Sequence, residues 1–121
     1  MRWMLLAIPF ALAAAPTPPP LAGDWIVDLT PKPTDPPYTK PMHLDIAADG
    51  TVSGLFYQSE IEAGRWKTDR GRTCVSFRTS DGKGPYHTAA CLVGDRVEGQ
   101  TWAEHRNFLF NWNATRAKTA G

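Results

Sequence analysis

The chain has 121 residues, 13 basic against 12 acidic side chains for a net charge of +1, and 2 cysteines. That length accommodates one domain. The charged residues are balanced and scattered, which argues against a nucleic-acid partner or an anionic lipid surface.

The chain opens on a signal peptide, expected over residues 1–15. Arg2 supplies the positive start, and an apolar run follows from Trp3 to Ala15. That run is shorter than the about 20 residues a bilayer span needs. Ala11-Leu12-Ala13 and Ala13-Ala14-Ala15 each offer a small-x-small pattern, so cleavage is expected after Ala15 or after Ala13, with an uncleaved anchor as the alternative. Leu21-Ala22-Gly23 is followed by Asp24 and not by cysteine, so no lipid attachment is expected. No second apolar span follows. The mature protein is therefore expected in the periplasm or secreted, with no membrane span after cleavage. Residues 16–22 read as a Pro-rich tether, 23–117 as the folded domain and 118–121 as a disordered tail.

Within the domain, short segments rich in β-formers alternate with turn signals every 8 to 12 or so residues. Strand one covers Gly23 to Leu29, with Trp25, Val27 and Leu29 on one face. The stretch from Pro31 to Pro41 holds five prolines and reads as an extended connection, since proline donates no ladder hydrogen bond. Strand two covers Met42 to Ala47, and Asp49-Gly50 makes a hairpin into strand three, Thr51 to Gln58, with Val52, Gly54, Phe56 and Gln58 sharing a face. Strand four runs from Glu60 to Lys67, strand five from Arg72 to Thr79, and strand six from Tyr86 to Val93. Strand seven runs from Arg96 to Trp102 and strand eight from Asn107 to Arg116, with one helical turn between them over Ala103 to Arg106. Eight meandering strands in an open sheet would leave two edges; closure removes both. The expected fold is all-β: a single antiparallel up-and-down eight-stranded β-barrel.

The cysteines test the register. If Thr79 pairs with Tyr86, then Phe77 faces Thr88, Val75 faces Ala90, and Cys74 lies directly opposite Cys91. Directly opposed residues in a non-hydrogen-bonded antiparallel pair lie about 4.5 to 5.5 Å apart, within disulfide range. An outer-face disulfide is expected, with two free thiols as the alternative. Across Gly94-Asp95 the same register turns Val97, Gly99 and Thr101 inward and Glu98, Gln100 and Trp102 outward.

Three stretches carry a resemblance. Gly23-Asp24-Trp25 resembles the Gly-x-Trp start of lipocalins and avidins. Asp49-Gly50-Thr51-Val52-Ser53-Gly54-Leu55-Phe56 is similar to the avidin second hairpin. Phe110-Asn111-Trp112-Asn113-Ala114-Thr115-Arg116 resembles the last strand of small bacterial exported barrel domains. Together they span about a fifth of the mature chain, and they imply a calycin-like (lipocalin/avidin-like) barrel. Biotin binding does not carry over. Where avidins place asparagine, tyrosine and serine, this chain has Val27, Phe56 and Gln58, and a urea group would lack polar partners.

No nucleophile elbow, zinc helix, Cys-x-x-Cys pair or phosphate loop is present. His43 and Asp45 share a strand face but would need a further ligand to hold a metal. His87 and His105 read as exposed. No cofactor or metal is expected, and no constellation supports an enzyme. The aromatic residues remain. Trp25, Phe56, Phe77, Tyr86, Phe108, Phe110 and Trp112, together with Gln58, are the candidate lining of a ligand cavity; the alternative is that they simply fill the barrel. Gly54, Gly99, Thr88 and Thr101 are small and would leave room. The expectation is an exported binding module for a small apolar or amphipathic molecule, with the proline loop as a partial lid. The alternative is an envelope protein-interaction or inhibitor domain acting through its loops and Trp102.

Overall fold

The computed structural model describes residues 20–117. The expected signal peptide, residues 16–19 of the expected tether and the expected tail lie outside the described residues. Nine strands follow in order: β1 (Gly23–Asp28), β2 (Thr39–Ile46), β3 (Thr51–Phe56), β4 (Ser59–Glu60), β5 (Glu62–Asp69), β6 (Arg72–Ser80), β7 (Pro85–Val93), β8 (Arg96–Ala103) and β9 (Phe108–Arg116). A 3-10 turn, Glu104–Arg106, joins the last two. Each strand pairs antiparallel with the next except β4 and β5, which do not pair with each other, and β1 pairs with β9. The sheet is thus a closed up-and-down barrel. It is eight-stranded in effect, because β4 and β5 are two pieces of one strand, both paired to β3.

The break in that fourth strand departs from the single run expected over Glu60 to Lys67. Ala63 sits at φ 53°, and the β5–β6 register shifts between Glu62 and Arg65. Between the pieces, Ile61 is buried and donates its amide to the Gly54 carbonyl 2.9 Å away. Gly54 itself holds φ 129°, and a Cβ there would fall 2.0 Å from the His43 carbonyl oxygen. The bend therefore needs glycine at its inner side.

The proline connection is shorter than expected, because Thr39, Lys40 and Pro41 belong to β2 and face Asp28, Val27 and Ile26. Proline is tolerated because the Pro41 carbonyl accepts from the Tyr57 amide (3.0 Å). In an antiparallel strand a residue's N and O point to the same side. The missing donor thus faces the turn beyond Phe56, where the β2–β3 ladder has already ended.

From β6 to β9 the expected register is found pair for pair. Thr79 faces Tyr86, Cys74 faces Cys91, Ala90 faces Gly99, and Leu92 faces Val97. Cys74 and Cys91 form a disulfide with Cα atoms 4.0 Å apart. The interior is layered. Val97 and Ala114 lie opposite each other near one end; above them come Gly99 and Trp112, then Thr88, Thr101 and Phe110, then Thr79 and Tyr86.

The lower end is closed. Leu21, assigned above to the tether, is 1% exposed and packs into the core. Its carbonyl accepts from the Trp25 indole N–H at 3.0 Å. The Arg116 guanidinium lies 4.1 Å from the centroid of the Trp25 ring and donates to the Ala22 and Pro20 carbonyls. Strand alternation explains the burial of Trp25, Val27, Met42 and Leu44, but Leu21 lies before the first strand and follows no period.

Candidate functional site

The open end of the barrel holds a cavity of about 690 Å³. It is bounded by the ends of β1, β3, β6 and β8, the starts of β4, β7 and β9, and residues of the proline loop and the Ser80–Pro85 connection. Of the eight candidate lining residues, Phe56, Tyr86, Phe108 and Phe110 line it. Trp25, Phe77 and Trp112 are buried below it and fill the barrel. Phe56 links the two zones, with ring centroids 5.5 Å from Phe77 and 5.4 Å from Trp112. Gln58 is not in the lining. The alternation that would turn it inward stops at Phe56, Tyr57 takes φ 62°, and Gln58 is exposed in the resulting turn.

Tyr57 takes the place expected of Gln58 and lines the cavity, its ring stacked on Phe56 with centroids 5.3 Å apart. Burial pushes the Tyr57 hydroxyl up to about 12, so it remains a neutral donor across the physiological range. A non-glycine residue at positive φ is uncommon, and nothing in the sequence between β3 and β4 signalled it. Thr79 and Thr101 also line the cavity. The register from the sequence already turns Thr101 inward, and the same alternation applied to β6 places Thr79 on the face of Phe77.

Small inward residues do not all leave space. A Cβ on Gly99 would fall 2.4 Å from Cζ2 of Trp112, so the indole occupies the room that glycine provides. Thr88 and Thr101 share a hydrogen bond of 2.9 Å between hydroxyls, and Trp112 donates its indole N–H to the Thr101 oxygen, also at 2.9 Å. This network ties the cavity wall to the packed core beneath it and satisfies buried polar groups that would otherwise be costly.

The rim carries the charges. Asp81 accepts from the Lys83 amide at 2.8 Å, the Tyr86 hydroxyl at 2.8 Å and the Gly84 amide at 3.3 Å. Those bonds, led by the one from Lys83, hold its carboxyl down at about 2. Arg106 donates to the Tyr86 hydroxyl at 2.7 Å and lies 5.3 Å from the Phe108 ring centroid. Tyr86 thus joins an anion and a cation, and its hydroxyl is fully used. Neither Asp81 nor Arg106 carried any strand-period signal, because both lie in connections.

Away from the cavity, His43 donates from Nδ1 to Asp24 (2.7 Å) and from Nε2 to Asp45 (3.1 Å) when protonated. Both ring nitrogens then face carboxylates, and among the described residues no three His, Cys, Asp or Glu side chains are grouped to hold a metal ion. His87 pairs with Arg78 on one side and Trp102 on the other. Trp102 lies opposite Leu109 on the outer face, and the two are 37% and 57% exposed. Compared with protein-family models, curated proteins and solved structures, the chain matches none.

Proposed function

We propose that the protein is an exported, calycin-like barrel that binds a small apolar or amphipathic molecule in the cavity at its open end. The observation that carries this reading is the contrast between the two ends. The lower half is packed solid around Trp25, Trp112 and Leu21, whereas the upper half leaves about 690 Å³ lined by Phe56, Tyr57, Tyr86, Phe108 and Phe110. Concave, mostly apolar sites with a few placed polar groups are the usual form of small-molecule sites. Export is supported by the leader-like residues 1–15 and by the Cys74–Cys91 bridge, which suits an oxidising compartment. The proline loop contributes Pro31 and Tyr38 to the cavity wall, as a partial lid would.

The alternative, docking of an envelope protein, draws on the exposed Trp102–Leu109 pair. The cavity has a complete lining of its own and carries more. The test is quenching of tryptophan fluorescence by a panel of hydrophobic compounds. Trp112 reports on the cavity because it touches Phe56 and bonds Thr101. Saturable quenching is expected, weakened roughly fivefold by Phe108→Ala at the rim, the loss of about 1 kcal/mol of aromatic contact. A linear, non-saturable response across the panel removes the proposal.

A further inference from the structure

The polar groups of the cavity differ in whether they are already hydrogen-bonded, and the difference bears on what could enter. The two charged side chains, Asp81 and Arg106, sit exposed at the rim and are joined through Tyr86. The remaining polar lining is made of hydroxyls. Thr101 is engaged by Thr88 and Trp112, and Ser59 donates to the Ser80 carbonyl at 3.3 Å. Thr79 is different. It lines the cavity, is 3% exposed, and its hydroxyl has no hydrogen-bond partner among the described residues. Thr79 lies opposite Tyr86 in the β6–β7 ladder and is almost wholly buried, where an unmet donor is unfavourable. The Tyr57 hydroxyl, half-buried in the same wall, likewise has no side-chain partner among the described residues.

We infer that the cavity selects an uncharged ligand with an aromatic-sized apolar body and a hydroxyl or carbonyl oxygen, received by the buried Thr79 hydroxyl. This rests on the cavity being a ligand site. A hydroxyl can donate to a carbonyl and either donate to or accept from another hydroxyl, so both oxygen types satisfy it. An ion would not suit the same place. An anion would give up hydration for one neutral hydroxyl, with the Asp81 carboxylate two residues along the chain and Arg106 turned to Tyr86 and the Phe108 ring. The aromatic walls favour a flat body, which can stack or meet the rings edge-on. A site built around a hydrogen bond also rejects the analogue that lacks it, because its own polar group then stays unmet.

Three probes of one skeleton separate the possibilities: 4-hydroxybiphenyl, biphenyl and biphenyl-4-carboxylate, each titrated into the full domain with Trp112 emission as the readout. The hydroxyl compound is expected to bind roughly fivefold to tenfold more tightly than biphenyl, the increment of one neutral hydrogen bond. Thr79→Val keeps the side-chain shape and is expected to erase that difference, because the variant has neither a hydroxyl to reward the oxygen nor an unmet one to penalise biphenyl. Tyr57→Phe, measured in parallel, keeps the test informative if the Thr79 variant folds poorly; it should retain most of the preference. Equal affinity for the hydroxyl and parent compounds, or tightest binding of the carboxylate, overturns this inference but leaves the cavity as a site. Failure of all three to saturate overturns both.

Discussion

Single side chains decide how much of the barrel is solid. Gly99 is required where Trp112 lies, because a methyl group would meet the indole at 2.4 Å. Gly99 is not among the glycines at positive φ, so the cost of Gly99→Ala is steric. Overpacking of this kind costs about 1–3 kcal/mol. Chemical denaturation should show a loss in that range, and a change in near-ultraviolet circular dichroism should report the displaced indole. His43 tests the electrostatics of the outer face. Its pKa is raised above the ordinary 6.5, first by the hydrogen bond to Asp24 and further by Asp45, against a smaller opposing effect of burial. A raised folded-state value means the contribution is fully present below the unfolded pKa and is lost as pH rises through the folded one. In Asp24→Asn the His43 titration midpoint, followed by NMR, should fall toward 6.5, and the stability lost above that pH should shrink. An unchanged midpoint would mean that Asp24 is not the cause.

At the level of elements, the strands from β6 to β9 were legible and the fourth strand was not. Alternation of apolar residues and one disulfide constraint were enough to place Cys74 opposite Cys91 and Ala90 opposite Gly99, because a slip of one residue would turn every core side chain outward. The β4–β5 break and the turn at Tyr57 escaped because a bulge inserts residues that belong to no period. The same escape moved Gln58 out of the cavity and Tyr57 into it. The disulfide belongs to this scale, since it cross-links two hairpin strands 17 residues apart in sequence. A loop of that size contributes about 3 kcal/mol in the chain-entropy view. Replacing both cysteines by serine should lower the melting temperature by roughly 12 to 24 °C for a domain of this size, and the unreduced protein should show no titratable thiol. The β1–β9 seam is held at the closed end by Arg116 over Trp25. Arg116→Leu removes that cation–π contact along with the bonds to the Pro20 and Ala22 carbonyls, and an unfolding titration should show a loss of about 1–2 kcal/mol.

The molecule as a whole is a barrel plugged at one end and hollow at the other. Its closure was legible, because a meander of this many strands must hide its edges. The depth of the hollow was not. Trp25, Phe77 and Trp112 have the same inward phase as Phe56 and Phe110, and only the stagger of the strands decides which aromatics fill the barrel and which ring its mouth. The rim charges, Asp81 and Arg106, come from connections whose path no periodicity describes. The proposed binding is therefore confined to the upper layers. The direct measurement is an NMR titration of the folded domain with 4-hydroxybiphenyl. Saturable shifts should appear at Thr79, Thr101, Tyr57 and Phe110, while Val97 and Ala114 at the packed end and Trp102 and Leu109 on the outer face stay unmoved. Shifts that instead gather at Trp102 and Leu109, or that fail to saturate anywhere, would contradict a ligand-binding cup.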